Sequence, residues 1–558
     1  MKEGDLKLIK ITLADGRKID VPEGTMLLDL SKDFANEYRA LIVAAKVDND
    51  IKELTYRLEE PCSVEFIDLT DEDGMRIYRR SLHFLLIKAA HDLFPDRKVI
   101  IDHSISKGIY CEIIGKKELT SDEVKRLEQR MAELVEAKIP FIKREVPIDE
   151  AREIFIKNNR MDRFQIIEHR KKPYVTMYRC DDLDDYFYGY MVPDTGYLKV
   201  FSLKYYPPGL IMLFPEKSNP DVLPEFEEQK KLFNVFSEYT RWGRILGVDT
   251  VGELNNIVAS GRIGDLIRVS EAIHEKKIAQ IADMITGSSH KKRVVLISGP
   301  SSSGKTTFAQ RLSIQLRVNG VRPVTISLDD YFVDREHTPR DEKGELDFEA
   351  LESIDVELFN LHLASLISGL EVEVPIFDFP TGRRGNVGRK LKIEEDQILI
   401  IEGIHGLNEK LTSTIKREDK FKIYVSALTS MNIDDHNRIP TTDARFIRRI
   451  VRDYQFRASS AEDTIKRWPS VRRGETRNIF PFQEEADVMF NSSLIYELGV
   501  LKVFAEPLLS KIDRSCREYS EAKRLLEFLG NFLPIDHKEI PNNSIIREFI
   551  GGSVFYGM

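Results

Sequence analysis

The run Gly299-Pro300-Ser301-Ser302-Ser303-Gly304-Lys305-Thr306 has the residue types and spacing to hold a nucleoside triphosphate. It fits G-x-x-x-x-G-K-[ST], follows the apolar run Val294-Val295-Leu296-Ile297, and precedes the helix-like stretch from Thr307 to Leu312. The chemistry needs that order. Glycines let backbone N–H groups wrap a phosphate, and the start of a helix adds the positive end of its dipole. Lys305 is expected to reach the β/γ-phosphates and the Thr306 hydroxyl to ligate Mg²⁺. Gly299, Ser301, Ser302, Ser303, Gly304 and Thr307 complete the candidate cradle, with ATP as co-substrate and Mg²⁺ as cofactor.

Three further groups sit where they could act on that phosphate. Asp329 stands at the C-terminal end of a second apolar run, Val324 to Leu328, where ligands gather in open α/β sheets. Glu402 ends the run Ile398-Leu399-Ile400-Ile401, a position suited to Mg²⁺ directly or through water. Arg445, Arg448, Arg449, Arg452 and Arg457 recur at three- and four-residue spacings, which puts several guanidinium groups on one helix face. Such a face can neutralise charge developing in phosphoryl transfer.

With the phosphate loop, the segments Ser327-Leu328-Asp329-Asp330-Tyr331-Phe332, Pro375-Ile376-Phe377-Asp378-Phe379, Ile401-Glu402-Gly403-Ile404 and Arg448-Arg449-Ile450-Val451-Arg452-Asp453 keep the order and spacing of one family. Residues 291–558 resemble the uridine kinase branch of P-loop kinases, relatives of phosphoribulokinase. The resemblance implies an ATP-dependent nucleoside kinase acting on a ribose 5′-hydroxyl. Asp329 becomes the general base and a metal ligand with Thr306 and Glu402. Lys305, Arg448 and Arg452 become catalytic, and the arginine helix becomes a lid, with the following loop Val471-Arg472-Arg473-Gly474-Glu475 as a further phosphate contact. On the acceptor side the resemblance implies an acid for the ribose hydroxyls, Asp347 or Glu349, with Phe377, Phe379, Arg383 and Arg449 also facing the acceptor. The family's base-contacting tyrosine falls on Phe377 and its histidine near Gly382, so both hydrogen-bonding handles are replaced. Arg383 and Arg384 are the candidates to substitute for them. The acceptor could equally be another hydroxyl-bearing metabolite, or the fold could serve a non-catalytic, ATP-sensing regulator linked to RNA or the ribosome. A GTPase would need an N-K-x-D element after a strand. Ser510-Lys511-Ile512-Asp513 lies in a helical region instead, and Asp341-Glu342-Lys343-Gly344 lies in a polar loop.

The elements that must position these groups occupy a chain of 558 residues, long enough for about three or four domains of ~150 residues. Its 42% hydrophobic content is ample for packed cores, and its formal charge of -9 argues against a strongly basic nucleic-acid binder. Four cysteines without a C-x-x-C spacing indicate neither a zinc site nor a disulfide framework, and suit a reducing cytoplasm. The charged start, Met1 to Lys10, lacks the apolar core of a signal peptide, and no apolar run approaches the ~18 residues needed to span a bilayer. The expectation is a cytoplasmic chain with no membrane partner, for which a homo-oligomer is compatible.

Residues 1–68 alternate short β-like runs around one helical segment, Met26 to Tyr38, with Asp15-Gly16 as a hairpin turn. Residues 69–224 carry helical stretches from Tyr78 to Leu93 and from Ser121 to Glu136, with a loose capping pattern at Ser121 and Glu123, and then β-rich sequence. Residues 225–290 read as a polar helical connector. From 291 onward strands alternate with helices, as in a doubly wound parallel sheet. The Asp15-Gly16 turn, Asp71-Glu72-Asp73-Gly74 and Arg80-Ser81-Leu82-His83-Phe84-Leu85-Leu86 carry a likeness to the TGS module of threonyl-tRNA synthetase. The next segment resembles that enzyme's editing domain, and the pair implies an RNA contact. Its four editing positions fall on Arg80, Phe84, Phe187 and Met191, which can neither bind a metal nor run acid–base chemistry. The expected fold is therefore multidomain α/β: a P-loop parallel sheet preceded by a β-grasp TGS domain and an editing-like α+β domain.

Overall fold

The computed structural model describes residues 7–170, 172–341, 344–378, 381–385 and 387–556. Its C-terminal half is built on a five-stranded parallel sheet in the order Arg322–Ser327, Gln397–Glu402, Val294–Ser298, Lys420–Ser426, Val488–Asn491. The strands are continuous apolar runs because helices cover both faces. All five residues of Val294–Ser298 are buried in the centre of the sheet, so the loop that follows leaves from a fully packed strand. The C-terminal ends of Val294–Ser298, Arg322–Ser327 and Gln397–Glu402 therefore open side by side.

The front half begins with a mixed five-stranded sheet, Lys18–Pro22, Leu8–Leu13, Cys62–Asp68, Ile42–Val47, Asp50–Glu53, packed on the helix Leu27–Phe34. Gly16, at φ 87°, makes the first hairpin turn. A 22-residue helix, Glu72–Leu93, then forms the spine of a four-stranded and a three-stranded sheet. The capping box of the helix Ser121–Ala137 is Thr120 with Glu123, one residue earlier than the Ser121 pattern suggests.

Residues 225–290 differ from a polar connector. Their three helices, Lys230–Leu246, Val251–Ala259 and Ile263–Thr286, carry one apolar stripe each. Ile278, Ile281 and Ile285 share a core with Leu312 and Leu316 behind the phosphate loop, while Leu232 and Phe236 pack between Tyr110 and Tyr424. High charge on the solvent face hides that stripe from composition. Among the described residues no helix is long and apolar enough to cross a membrane.

The two halves are joined through the loop 427–440, which follows the fourth strand and leads into the helix Thr441–Phe456. Asp435 O accepts from Ile101 N at 2.8 Å, Asn432 Nδ2 donates to Ile101 O at 2.9 Å, and Asn437 Nδ2 donates to Tyr186 O at 2.9 Å. Beneath them Arg163, 1% exposed, pairs with Asp185 at 2.7 Å and with Asp162 at 3.3 Å. Breaking such a pair strands a buried charge, which costs about 3–5 kcal/mol. Arg163→Ala is therefore expected to lower the unfolding free energy by about that amount, read by urea denaturation. A loss below ~1 kcal/mol would show that this buried pair does not stabilise the fold.

Candidate active site

The phosphate loop is shaped by contacts only glycine permits. A Cβ on Gly299 would lie 1.9 Å from Val425 O, and Gly304, at φ 83°, would press a Cβ to 2.5 Å from Ile545. Lys305 opens the helix Lys305–Val318, and its Nζ folds back onto Gly299 O (3.0 Å) and Pro300 O (3.1 Å). Burial pulls the Lys305 pKa down, while Glu402 and Asp329 pull it back up. Ser302 and Ser303 are buried in the loop, and Thr306 lines the cavity above it.

Strand register brings the acids to this lysine. Ser327 pairs with Glu402 across adjacent strands, and its Oγ donates to Glu402 Oε1 at 2.9 Å. The same oxygen accepts from Asp329 N at 3.3 Å in the turn Leu328–Tyr331. Asp329 lines the cavity and Asp330 does not. Burial first, then the Asp329 charge, pushes Glu402 up to about 7. Two carboxylates forced together beside a hydroxyl are a set of hard oxygen donors whose repulsion a divalent cation relieves. Thr306, Asp329 and Glu402 therefore fit Mg²⁺.

Of the two candidate acids Asp347 and Glu349, Glu349 is the one that lines the cavity. Asp347 is turned away into an ion pair with Arg477, while its Oδ1 accepts from Glu349 N at 3.1 Å. Glu349 Oε2 is buried without a hydrogen-bond partner. Gly474 makes room for this side chain, since a Cβ there would meet Glu349 Cβ at 2.2 Å. Burial pushes Glu349 up to about 7, against the pull of Arg449 and Lys305. Phe377 lines the cavity beside Phe332, with ring centroids 5.6 Å apart. Phe379 lies outside the described residues.

The arginines divide differently from the single face their spacing suggests. Arg449 Nη1 donates to Ser301 Oγ at 2.7 Å, and Arg452 bonds to Asp453 at 2.7 Å; both line the cavity. Arg457 lines it too, its pKa lowered to about 10 by Arg452 first and burial second. Arg448 corrects its expected catalytic place. It is fully buried, held by Glu497 and by Ser492 O at 2.8 Å, and reaches the loop only at Ser302 O, 3.4 Å away. Arg445 pairs with buried Glu475 and donates to Ser301 O at 3.1 Å. Core packing of Ile447, Ile450 and Val451 fixes this helix, Thr441–Phe456, so it is a wall and not a lid. The stretch Val471–Glu475 is likewise helical, inside Ala461–Asn478, which starts from a capping box at Ser460 and Asp463. Arg383 is exposed and off the cavity, and Arg384 staples the turn through Tyr331 O, Phe332 O and Asp355. Neither replaces the family's base contacts. Arg335, against which Gly382 packs, is the arginine that lines the cavity there.

Three acids hold the loop from a distance: Glu475, which lies in the segment expected to contact phosphate, and Glu497 and Glu548, which sequence reasoning misses. Glu475 accepts from Ser301 N at 3.1 Å. Glu497 holds Arg448. Glu548 Oε2 accepts from Thr307 N (3.1 Å) and Thr307 Oγ1 (2.8 Å), with Tyr556 also on that hydroxyl at 3.0 Å. No spacing rule links such distant positions, and only the fold does.

In the front half, three of the four positions that the resemblance pairs with an editing set, Phe84, Phe187 and Met191, are packed in the core. Phe84 and Phe187 are buried with ring centroids 5.0 Å apart, and Met191 Sδ accepts from Ser81 Oγ at 3.4 Å. Arg80 stands at the edge, on the same cavity as the phosphate loop. That cavity holds about 3150 Å³, and its lining carries twenty-one Lys and Arg against fourteen Asp and Glu. A chain of net charge -9 has gathered its cations inward.

The sequence profile of the phosphoribulokinase/uridine kinase family matches residues 294–495. The C-terminal half thus contains a P-loop kinase domain of that family. The front part matches threonine–tRNA ligases: that of Desulforamulus reducens is 32% identical over 197 residues, 35% of this chain and 31% of that one. That of Syntrophomonas wolfei is 28% identical over 260 residues, 44% of this chain and 40% of that one. The chain spans about a third of the length of most of these relatives. Among solved structures, one described as a possible uridine kinase from Bacillus stearothermophilus shares 21% identity, covering 39% of this chain and 98% of that one, with a TM-score of 0.28.

Two outcomes follow from this geometry. Thr307 N is one of the amides a P-loop offers to phosphate, and Glu548 holds it. Glu548→Gln is expected to tighten ATP binding by about 5- to 50-fold, as loss of a charge-assisted bond and of a competing anion would give. Calorimetric titration checks this, and unchanged affinity would separate Glu548 from the nucleotide. Glu349 favours its protonated form in the fold. The stability it lends is full below the unfolded carboxylate pKa of 4.5 and is lost as pH rises through about 7. Glu349→Gln should therefore raise Tm at pH 8 and change it little at pH 4, measured by calorimetry.

Proposed function

We propose that the protein transfers the γ-phosphoryl group of ATP to a hydroxyl of a small-molecule acceptor. The observation that carries this reading is the meeting of Lys305, Asp329, Glu402 and Glu349 at the open strand ends of a P-loop sheet. A device that only sensed ATP would need no carboxylate placed as a base.

The roles follow from what each side chain can do. Lys305 turns from the loop carbonyls to the phosphates and offsets their charge. Asp329 accepts the proton of the attacking hydroxyl. Thr306, Asp329 and Glu402 would hold Mg²⁺, which when bound neutralises charge on the transferring phosphates. Arg449 and Arg452 stand on the wall beside the loop and suit the charge that develops in transfer. Glu349 takes a hydroxyl of the acceptor, and Phe377 offers a flat apolar face. A ribonucleoside phosphorylated at its 5′-hydroxyl fits this set, with uridine as the family's usual acceptor. The missing phenol and imidazole at Phe377 and Gly382 favour selection by ribose over selection by base. The synthetase-like front half supports a contact with RNA, and four free cysteines fit a reducing cytoplasm.

Lys305→Ala and Asp329→Asn are both expected to abolish transfer, by different routes. Loss of Lys305 should weaken ATP binding as well as turnover. Asp329→Asn should leave ATP binding nearly intact while kcat falls by ~10²–10⁴, the span of a lost general base. Calorimetric titration with ATP, together with ADP release on a nucleoside panel, separates the two effects. Near-normal turnover in Asp329→Asn would remove Asp329 from the chemistry.

A further inference from the structure

The helix Glu72–Leu93 carries Arg76, Arg79, Arg80 and His83 at three- and four-residue spacings, and all four line the cavity that contains the phosphate loop. Arg76 is consumed by Asp73 at 2.7 Å and Glu521 at 2.8 Å. The others are not. Arg79 donates to Met75 O at 3.3 Å, lies 5.5 Å from the Phe214 ring centre, and meets one acid, Glu72, at 3.7 Å, a long contact to a half-exposed group. Arg80 Nη1 donates to Tyr190 O at 2.9 Å, and its guanidinium lies 5.8 Å from the Tyr188 ring centre. Gly189 keeps room for it, since a Cβ there would come within 2.5 Å of Arg80 Cζ.

Arg438, from the loop that joins the halves, enters the same wall. Its Nη1 donates to Ser104 Oγ at 2.6 Å, and its Nε is buried with no partner. Buried Asp102 is the acid whose charge weighs most on Arg438, with Asp443 behind it; Asp443 is taken up by Arg524 at 2.7 and 2.9 Å. Among the described residues no carboxylate lies within 4.0 Å of Arg80 or Arg438. His83 Nε2 is also buried and unpartnered. Burial and the neighbouring cations pull Arg79 and Arg80 down, Arg438 to about 10 and His83 to about 3. Arg472, from the kinase half, is among the charges that depress Arg79, so both halves close on this place. A solvated basic face would not hold its guanidinium groups half-buried, with Arg79 and Arg80 on main-chain carbonyls, Arg438 on Ser104, and Arg80 and Arg438 outside any direct ion pair. Desolvated cations without partners are costly, and a bound anion relieves that cost.

We propose that Arg79, Arg80 and Arg438 form an anion subsite that holds a phosphate group already carried by the acceptor, so that the molecule phosphorylated here is itself a phosphate ester. The inference rests on the kinase reading and narrows its acceptor. A cavity of about 3150 Å³ exceeds the roughly 300–1,000 Å³ of an ordinary ligand site and accommodates ATP with an elongated second substrate. The reaction balances without the acceptor's own phosphate. The bond from the γ-phosphorus to the ADP oxygen breaks, a bond from that phosphorus to the acceptor hydroxyl oxygen forms, and the hydroxyl proton passes to Asp329.

The test uses the full chain and two readouts. First, inorganic phosphate is titrated into protein saturated with a non-hydrolysable Mg-ATP analogue, which fills the α-, β- and γ-phosphate positions of the phosphate loop. Wild type should bind one equivalent, and Arg80→Gln and Arg438→Gln should each weaken it by about 10- to 100-fold, as loss of a charge-assisted bond implies. Arg268→Gln, an exposed arginine elsewhere, should leave it unchanged. Second, ADP release is compared within matched pairs: uridine with uridine 3′-monophosphate, and ribose with ribose 5-phosphate. One phosphorylated member should exceed its neutral partner in kcat/KM by at least about 100-fold, two bonds' worth. Arg80→Gln should erase that preference by lowering kcat/KM for the phosphorylated member. Preference for the neutral members, or phosphate binding indifferent to Arg80 and Arg438, would overturn the subsite while the kinase reading stood. No transfer to any acceptor would overturn the kinase reading itself.

Discussion

The carboxylate of Glu475 has no access to solvent, and it is shared by three neighbours from separate parts of the kinase half. It accepts from the amide of Ser301 in the phosphate loop, pairs with Arg445 of the helix Thr441–Phe456, and bonds to Arg472 one turn before it, at 2.8 Å. A buried carboxylate is tolerated only when fully paired, so the loop, the arginine helix and the helix Ala461–Asn478 must keep one relative position. Glu497 repeats the device on the other side through Arg448 and Ser492. The two pairs fix Arg445 and Arg448, of which Arg448 lies off the cavity, while Arg449, Arg452 and Arg457 line it.

The same logic extends across the seam between the halves. The loop 427–440 is gripped by Ile101, Ser104, Tyr186 and the buried Arg163–Asp185 pair, and it runs directly into the arginine helix. Lys523 with Asp50 and Arg76 with Glu521 pin the other edge. The front half is thus a wall of the active chamber. Phe84, Phe187 and Met191 are packed in the interior of the front half, and what it offers at that edge is a cationic surface around Arg80.

Local chemistry was readable from the chain and long-range pairing was not. The phosphate loop, the strand ends bearing Asp329 and Glu402, and the hairpin at Gly16 depend on short spacings and fixed backbone demands. Deciding between Asp347 and Glu349 required knowing that Arg477 captures the first and that Gly474 clears space for the second. The arginine spacing was right, but which residues face inward depends on Glu475 and Glu497, which lie 30 and 49 residues beyond their partners. The helices of 225–290 looked polar because charge dominates their composition, while a narrow apolar stripe did the packing. Arg80 was visible only as a missing histidine, and its contribution to the chamber came from tertiary contact.

The central claim is that this chamber passes a phosphoryl group to an acceptor. Its most direct test follows the label from γ-³²P-ATP with Mg²⁺ in a single turnover, with and without hydroxyl-bearing acceptors, in wild type and Asp329→Asn. The account predicts that the label appears on the acceptor, that little inorganic phosphate forms without one, and that Asp329→Asn suppresses the transfer. Label released as inorganic phosphate at the same rate whether or not an acceptor is present would contradict it.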